Sequence, residues 1–330
     1  MDHPGLLIVG SEEVRRALPM AACIEAVDRA MRALSSGAAQ VPLRTILALP
    51  GRHNFFGVMP GYLGDPLSLG AKILTVYPGN PQRGLSSHVG LVVLFDVEDG
   101  RAVAVMDAAQ ITAIRTAAAS AVATRALARA AAAQLAILGT GEQAVSHLEA
   151  MAAVRTLSSV RVWGRTGDKA RRLADQQSRR LGICVDACAS AQAAVEGADI
   201  ICAVSAAREP ILCGEWLAPG SHVNLVGSSR LTAREADDAV VTRGRFFVDS
   251  RVSAQAEAGE LRHAIDAGLV TDAHVLGEIG EVLAGKVVGR CAPQDITIYK
   301  SLGVAAQDLA AAQTIYTRAA RERIGTRVPF

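Results

Sequence analysis

The sequence predicts an α/β protein of two domains, and three observations lead to this prediction. The chain has 330 residues, about twice the length of a typical single domain. Residues 41–106 contain several β-type runs with proline and glycine between them and without intervening helices. After residue 134, short apolar runs alternate with helical patterns, which is typical of a parallel sheet. We therefore expect one α+β domain and one α/β domain.

Composition excludes several classes of protein. Half of the residues are hydrophobic, and the net charge is only +2 with the signs interspersed, so neither nucleic acid nor a membrane surface is an expected partner. The six cysteines form no CxxC pair, and we interpret them as buried thiols of a cytoplasmic protein. The N-terminal residues have no basic region followed by an apolar core, so no signal peptide is expected. Two arginines interrupt the longest apolar stretch, at residues 117–133, so no membrane span is expected there.

The first domain is expected to begin with a helix at residues 20–36, which ends before a glycine. Five β-type runs follow, at residues 41–49, 54–59, 67–77, 91–97 and 102–106. Residues 97–101 have the composition of a hairpin turn. Asp107 and Gln110 have the spacing of a capping box, which predicts that a long alanine-rich helix runs from there to about residue 133. An antiparallel or mixed sheet is therefore predicted for this part.

The second domain is predicted from the alternation of strands and helices. Strands are expected at residues 160–163, 183–185, 200–203, 222–226, 246–249 and 296–299, and helices at residues 169–181, 191–195 and 277–284. A last helix, at residues 304–321, has apolar residues at helical spacing. It is long enough to pack back on the first domain.

A glycine turn follows the first strand of this second region. The apolar run 135–138 leads into Gly139-Thr140-Gly141-Glu142-Gln143-Ala144 and then into a helical pattern. Gly139 permits the tight turn, Gly141 permits close approach of a pyrophosphate, and Ala144 permits close packing of helix on strand. The helix N-terminus would supply free N–H groups to the phosphates. We favour a dinucleotide site over an ordinary strand-to-helix turn.

Three isolated cations lie in apolar surroundings. Arg44 is the lone charge of residues 41–49, Lys72 is the lone charge between Asp65 and Arg83, and Arg115 interrupts an apolar helical stretch. A buried cation needs a partner, so each residue taken singly indicates a structural salt bridge. The alternative is that all three converge on one substrate carboxylate, for which arginine offers a bidentate fork.

Two further residues bear on cofactor and substrate. An NAD-selective site usually has an acid after the second strand, whereas this chain has Gly164-Arg165-Thr166. Arg165 suits a 2′-phosphate, so NADP(H) is favoured and NAD(H) remains an alternative to it. His88 lies in a turn-rich segment, where a structural role is more common than proton donation. No ligand spacing for a metal and no GxSxG nucleophile motif is present.

The sequence resembles the ornithine cyclodeaminase/μ-crystallin family over almost its full length. Six ordered blocks carry the resemblance: Gly70-Ala71-Lys72 with Tyr77-Pro78-Gly79-Asn80, Ile114-Arg115-Thr116-Ala117-Ala118-Ala119-Ser120, Gly139-Thr140-Gly141-Glu142-Gln143-Ala144, Val248-Asp249-Ser250-Arg251 with Glu257-Ala258-Gly259-Glu260-Leu261, Gly277-Glu278-Ile279-Gly280-Glu281, and Ile298-Tyr299-Lys300-Ser301-Leu302-Gly303.

The resemblance implies a Rossmann dinucleotide-binding domain, residues 116–302, inserted in an α+β substrate and dimerisation domain, residues 1–115 plus 303–330. It also implies a homodimer. Arg44, Lys72 and Arg115 would bind the α-carboxylate of an amino or imino acid, with His88 and Ser229 as weaker candidates at its far end. Lys72 would be the catalytic residue. The candidate cofactor-binding residues are Thr116, Gly139, Thr140, Gly141, Gln143, Ala144, Arg165, Thr166, Ser205, Gly227 and Lys300.

The resemblance also implies the chemistry. Cyclodeaminases of this family carry an aspartate after the strand that ends here at Val226-Gly227, but this chain continues Ser228-Ser229-Arg230. Without that acid, we predict NAD(P)H-dependent reduction of a 2-imino acid to an L-amino acid, or its reverse. The alternatives are an NAD-dependent ornithine cyclodeaminase and a μ-crystallin-like NADPH-dependent binding protein for small molecules.

Overall fold

The structure is a computed structural model that describes residues 5–51 and 54–330. The first elements are β1 (Leu6–Val9), α1 (Ser11–Ala17), α2 (Met20–Ser36), β2 (Ala39–Gln40), β3 (Thr45–Ala48), β4 (Phe55–Gly64), β5 (Leu67–Val76), β6 (His88–Phe95), β7 (Ala102–Asp107) and α3 (Ala108–Leu127). Next come β8 (Gln134–Leu138), α4 (Glu142–Val154), β9 (Ser159–Trp163), α5 (Gly167–Leu181), β10 (Val185–Ala187), α6 (Ala191–Val195), β11 (Ile200–Ala203), β12 (His222–Leu225), α7 (Asp238–Arg243), β13 (Arg245–Val248), α8 (Arg251–Glu257), α9 (Gly259–Asp266), β14 (Val275–Glu278), α10 (Ile279–Leu283) and β15 (Thr297–Lys300). The chain ends with α11 (Ala305–Glu322) and β16 (Thr326–Val328).

The chain divides into two compact units. The first consists of Met1–Arg115 with Val304–Phe330, and the second is the segment between them, Thr116–Gly303. Gly303 belongs to the second unit, one residue beyond the predicted boundary, and it has a φ of 77°. This left-handed conformation suits glycine because it has no Cβ.

The first unit is built on a mixed sheet of eight strands. Its order is β16-β1-β7-β6-β5-β4-β2, with β3 paired to β4. Strands β4 to β7 are antiparallel neighbours, whereas β1 is parallel to β7. Helices α2 and α11 pack on each other and on this sheet. Gly61 and Gly70 leave space on it for Leu309 of α11, whose methyl groups lie only 3.1 and 3.0 Å from where a Cβ on these glycines would be.

The opposite face of this sheet is apolar and partly exposed. Pairing across the strands aligns Pro60, Ala71, Val93, Val105 and Ile8 in one row. The first four are half-buried and Ile8 is exposed, whereas Met59, Val92 and Leu94 on the helix-covered face are buried. A continuous apolar row of this kind is typical of a surface that another chain covers.

The second unit is a parallel sheet of eight strands, as the alternation predicts. Its order is β10-β9-β8-β11-β12-β15-β13-β14. The chain moves outward from β8 to β10 and then returns to pair β11 with the other side of β8. This reversal creates the topological switch point at which Rossmann folds bind ligands, beyond the carboxyl ends of the strands. The Rossmann prediction is therefore confirmed.

The alanine-rich helix α3 is shorter than predicted. It ends at Leu127 rather than near residue 133. The carbonyl of Leu127 accepts a hydrogen bond from Nε of Arg290 at 2.8 Å, and Oδ2 of Asp199 accepts the Ala133 N–H at 2.9 Å. These tertiary partners satisfy the backbone at the helix end, so the helical propensity of alanine does not decide where the helix stops.

Other predicted boundaries also differ from the structure. Residues 277–278 end strand β14, and α10 starts only at Ile279, where Glu278 and Glu281 form a capping box. Residues 41–44 lie outside β3. The short helices α1, α7, α8 and α9 were not predicted, because each spans only two turns or so. No helix of the described residues is long and apolar enough to cross a membrane.

Candidate active site

Two of the three isolated cations meet at one buried carboxylate in the first unit. Nζ of Lys72, on β5, lies 2.9 Å from Oδ1 and 2.8 Å from Oδ2 of Asp308, on α11. Nε of Arg115, on α3, donates to Oδ1 of Asp308 at 2.8 Å, and its Nη1 donates to Oε1 of Gln307 at 2.8 Å. Asp308 is fully buried, and Lys72 and Arg115 are 2% and 4% exposed.

Burial and charge shift the pKa values of this cluster. Burial, with help from Arg115, lowers the pKa of Lys72 to about 7, although Asp308 opposes the shift. Burial would raise the pKa of Asp308, but Arg115 and Lys72 outweigh it and hold the pKa of that carboxyl below its usual value. Lys72 is therefore partly neutral at physiological pH, whereas Asp308 is ionised.

The cluster carries more positive than negative charge. One carboxylate faces Arg115 and Lys72, and the half-buried Arg44 is close enough to lower the pKa of Lys72 as well. Among the residues that the structure describes, none accepts a hydrogen bond from Nη2 of Arg115. An anion with planar oxygens would complete this arrangement. The structure thus shows a buried ion pair of Lys72 and Arg115 with Asp308, and the binding of a substrate carboxylate by the three cations stays a prediction.

Sequence reasoning missed Asp308, although a signal for it exists. It is the only charged residue between Lys300 and Arg318. The same criterion, an isolated charge in an apolar run, identified the cations. Applied to acids, it would have predicted that Asp308 is their buried partner.

The glycine turn of the second unit has the geometry of a phosphate-binding turn. Gly139 has a φ of 143°, and a Cβ there would lie 2.8 Å from the carbonyl oxygen of Val204. A Cβ on Gly141 would meet nothing within 4 Å, so its backbone faces open space. No side chain caps α4, whose N-cap is Gly141, and Ala144 is buried against the sheet. This N-terminus, with no side-chain cap, is of the kind that binds anions.

The carboxyl end of β9 presents a basic residue. Arg165 and Thr166 are both exposed, and Arg165 makes no hydrogen bond or ion pair with any residue in the described ranges. The nearest acid along the chain, Asp168, pairs instead with Arg171 in the first turn of α5. Thr166 is the N-cap of α5, but its side chain does not cap the helix.

Two of the remaining predicted cofactor residues at this edge, Ser205 and Gly227, contact a buried acid. Oε1 of Glu235 accepts hydrogen bonds from the backbone N–H and the hydroxyl of Ser205, at 2.6 and 2.7 Å. Its Oε2 accepts the Gly227 N–H at 2.5 Å. Lys300 is also buried, and its ammonium donates to the Ser228 carbonyl at 2.6 Å and pairs with Glu260 at 2.9 Å. Nothing in the local pattern around Glu235 indicated this role.

The other candidates lie at four separate places in the chain. Thr116 is a buried residue of α3, and Thr140 and Gln143 are half-buried residues in or beside the glycine turn. Ser229 is half-buried in the loop after β12. His88 starts β6 in the first unit, where it is exposed and its Nδ1 lies 3.0 Å from Oγ of Ser87.

Neither thiol chemistry nor metal binding finds support in the described residues. All six cysteines are free, and burial raises the pKa of Cys23, near Arg115 and Asp308, to about 12. A thiol with that pKa stays protonated at neutral pH and is a poor nucleophile. No group of three or more His, Cys, Asp or Glu side chains in the described ranges has the geometry of a metal site.

Comparison with known proteins identifies the family. The family model described as ornithine cyclodeaminase/mu-crystallin matches residues 7–323. The chain belongs to this family. Ketimine reductase mu-crystallin of Mus musculus is 40% identical over 280 residues, which cover 85% of either chain. Delta(1)-pyrroline-2-carboxylate reductase of Bacillus cereus is 33% identical over 326 residues, covering 98% of this chain and all of the relative.

A solved structure agrees with this membership. It is that of Thermococcus litoralis Delta(1)-pyrroline-2-carboxylate reductase in complex with NADH and L-proline, with a TM-score of 0.95 and 35% sequence identity. The match covers 98% of this chain and 100% of the other. Both units of the present chain therefore have counterparts in a solved member of the family.

Neutralising Asp308 tests whether its charge holds the cluster together. In the variant Asp308→Asn, Lys72 and Arg115 would keep their burial but lose their counter-ion. We expect the free energy of unfolding to fall by about 3–5 kcal/mol, the usual cost of removing one partner from a buried ion pair. Chemical denaturation measures this.

The matched control is Glu12→Gln, which removes an exposed acid 3.8 Å from Arg15 in the same unit. It should change stability little, because exposed ion pairs contribute little. Equal unfolding midpoints for Asp308→Asn and the native chain would contradict the interpretation of the cluster as the electrostatic centre of the unit.

Proposed function

We propose that this protein catalyses the NAD(P)H-dependent reduction of a 2-imino acid, a ketimine or cyclic imine, to an L-amino acid, or the reverse dehydrogenation. The observation that carries this proposal is the buried cluster of Lys72, Arg115 and Asp308 with Arg44 nearby. A cationic site in which Nη2 of Arg115 has no acceptor among the described residues suits the carboxylate that every 2-imino acid carries.

The second unit supports the nicotinamide cofactor. The exposed Gly141 and the N-terminus of α4, which has no side-chain cap, suit the pyrophosphate. Ser205 and Gly227 follow neighbouring strands at the same sheet edge. When bound, the cofactor supplies or accepts the hydride. The reductases of Thermococcus litoralis and Bacillus cereus act on a cyclic 2-imino acid, and their similarity to this chain supports the same substrate class here.

The side chains of the protein would then contribute mainly by positioning the substrate and holding a proton. Binding the carboxylate fixes the position of the adjacent C=N carbon, and positioning of this kind supplies much of the rate enhancement in a two-substrate reaction. Lys72, with a pKa lowered to about 7, can hold a proton near the substrate nitrogen or release it at physiological pH. A protonated imine is already electrophilic, so no strong acid is required.

Ornithine cyclisation has less support. It needs a carboxylate that both pairs with the distal ammonium and accepts its proton. The loop after β12 contains Ser228, Ser229 and Arg230 but no acid. Glu235, the acid buried at this edge, already accepts three hydrogen bonds from Ser205 and Gly227. A pure binding protein would not need Lys72 with a pKa near neutrality.

Oxidation of NADPH and NADH against a panel of substrates tests the proposed function. The panel contains pyrroline-2-carboxylate, piperideine-2-carboxylate, and small 2-oxo acids with ammonium or methylamine. Oxidation dependent on one imino acid is the expected result. Ammonia release from ornithine with NAD⁺ would favour the cyclodeaminase, and tight ligand binding without oxidation would favour the binding protein.

Replacing Lys72 separates its role from cofactor binding. The variant Lys72→Met should lose turnover by a factor of about 10³ or more, since both a carboxylate contact and a proton site disappear. Its dissociation constant for NADPH, measured by fluorescence titration, should stay within about twofold of the native value, because Lys72 is not among the proposed cofactor contacts.

The matched control is Lys286→Met, which removes an exposed lysine of the second unit. It should leave both the turnover and the dissociation constant for NADPH unchanged. Loss of NADPH binding in Lys72→Met, or full turnover in that variant, would contradict the assignment of Lys72 to the substrate.

We further propose that the protein prefers NADP(H) to NAD(H). Arg165 follows β9, where an acid would bind the ribose hydroxyls of NAD. Its exposure and the absence of any partner for it among the described residues support a role for its guanidinium on a 2′-phosphate.

Reversing the charge of Arg165 tests this preference. The variant Arg165→Glu should raise the KM for NADPH by about tenfold or more while that for NADH changes little, because only NADPH carries the 2′-phosphate. Arg172→Glu, at an exposed position of α5, controls for the general change of charge. Equal effects on both cofactors would contradict the assignment.

We propose that two copies assemble into a homodimer through the apolar sheet face of the first unit. The row of Pro60, Ala71, Val93, Val105 and Ile8 supports this, because it crosses five strands and is only half-buried within one chain. A two-fold axis would let the same row cover itself.

A charge in this row should prevent assembly. The variant Val93→Asp would have to bury a carboxylate in an apolar interface, which costs several kcal/mol. Light scattering after size-exclusion chromatography should give the mass of a monomer for Val93→Asp and the mass of a dimer for the native protein. Val288→Asp, at a loop residue that is 65% exposed, should leave the mass unchanged. A dimeric Val93→Asp would contradict the proposed face.

A further inference from the structure

We propose that Glu235 is a positioning residue of the cofactor site, and that its ionised carboxylate holds the two loops after β11 and β12 in the geometry that binds the dinucleotide. This inference rests on the proposed function, because it assumes that Ser205 and Gly227 face a nicotinamide cofactor. It adds a residue and a dependence on pH that the family assignment does not contain.

The contacts of Glu235 connect the two loops directly. Strands β11 and β12 are parallel neighbours, with Ala203 paired to Leu225, so the segments that follow them leave the sheet side by side. One carboxylate oxygen accepts both hydrogen bonds from Ser205, and the other accepts the N–H of Gly227. Three donors lie 2.5 to 2.7 Å from the carboxylate oxygens of Glu235, and these hydrogen bonds fix the position of both loops relative to this side chain.

The loops approach each other closely around this carboxylate. A Cβ on Gly227 would lie 1.9 Å from the carbonyl oxygen of Ser205 and 2.6 Å from the carboxyl carbon of Glu235. Only glycine fits in that space. The closeness indicates that the loop geometry depends on the hydrogen bonds of Glu235, since no bulky packing residue can replace them at this point.

Glu235 is itself fixed from the interior. It is fully buried, and its own backbone N–H donates to Oε1 of Glu260 at 3.0 Å. Glu260 pairs with Lys300, whose ammonium donates to the carbonyl of Ser228, the residue after Gly227. Glu235, Glu260 and Lys300 thus form one network that fixes the conformation of both loops. Lys300 is one of the predicted cofactor-binding residues.

The network is sensitive to protonation. Burial raises the pKa of Glu235 to about 7, with Glu260 adding to the shift, while the hydrogen bonds of Ser205 and the charge of Lys300 oppose it. These are the charged groups that face Glu235. An ionised carboxylate only accepts hydrogen bonds, whereas a protonated one becomes a donor, so one N–H or hydroxyl would lose its acceptor. The binding geometry is therefore present above pH 7 and is lost as the pH falls below it.

The test is the dissociation constant of NAD⁺ measured by calorimetry on the full-length protein between about pH 6 and pH 8.5. NAD⁺ is the probe because its own groups do not titrate in this range. For the native protein, affinity should fall by up to about tenfold per pH unit below the pKa of Glu235 and be constant above it. Glu235→Gln should bind about tenfold more weakly at pH 8, because a donor amide replaces one acceptor oxygen, and its affinity should not vary with pH.

Two further variants keep the outcome clear. Glu235→Asp retains a carboxylate and should retain the dependence on pH. Asp237→Asn removes a nearby carboxylate that also accepts two backbone hydrogen bonds, from Gly214 and Val240, and should leave both the affinity and its pH profile unchanged.

The inference would be overturned if the native protein bound NAD⁺ with constant affinity from pH 6 to 8.5, or if a folded Glu235→Gln bound it with native affinity. In either case NAD⁺ still binds, so the proposed function would be unaffected. If Glu235→Gln does not fold, the native pH profile and that of Glu235→Asp decide the question. No binding of NAD⁺ or NADP⁺ at any pH would instead overturn the proposed function, and this inference with it.

Discussion

The structure depends most on one buried carboxylate that faces more than one cation. Asp308 neutralises only part of the charge of Lys72 and Arg115, and all three are almost completely excluded from water. Burying unequal charges is costly unless another charge completes the set. A substrate carboxylate would supply that charge, so the same desolvation that lowers the pKa of Lys72 also favours binding of the anion.

The second unit also contains a buried charged group, but this group is negative. Glu235 is an acid that burial makes hard to ionise, and hydrogen bonds from Ser205 and Gly227 stabilise its charged form. In both units a charged group lies inside the protein and is held by contacts from several different elements. The two sites differ in their proposed roles: we propose that Lys72 contacts the substrate, whereas Glu235 would act through the loops that it holds.

Much of the fold could be predicted because local patterns decide it. The glycine turn, the strands at residues 200–203 and the helix at 20–36 follow from periodicity and from the special conformations of glycine. The partners of the functional residues could not be predicted in this way. Lys72 and Asp308 are 236 positions apart, and no local pattern states which face of a helix will meet which strand. Glu235 gave no signal, since it lies among other charges in a loop.

Proton uptake on ligand binding tests whether a carboxylate of the ligand meets Lys72. Pyrrole-2-carboxylate, an unreactive planar analogue of a cyclic imino acid, would be titrated into the protein by calorimetry in buffers of different ionisation enthalpy. If its carboxylate completes the cationic cluster, it raises the pKa of Lys72, and binding at about pH 8 should take up close to one proton, falling towards none at about pH 6. Binding without proton uptake at every pH would show that the carboxylate does not meet Lys72, and the account of the site would be wrong.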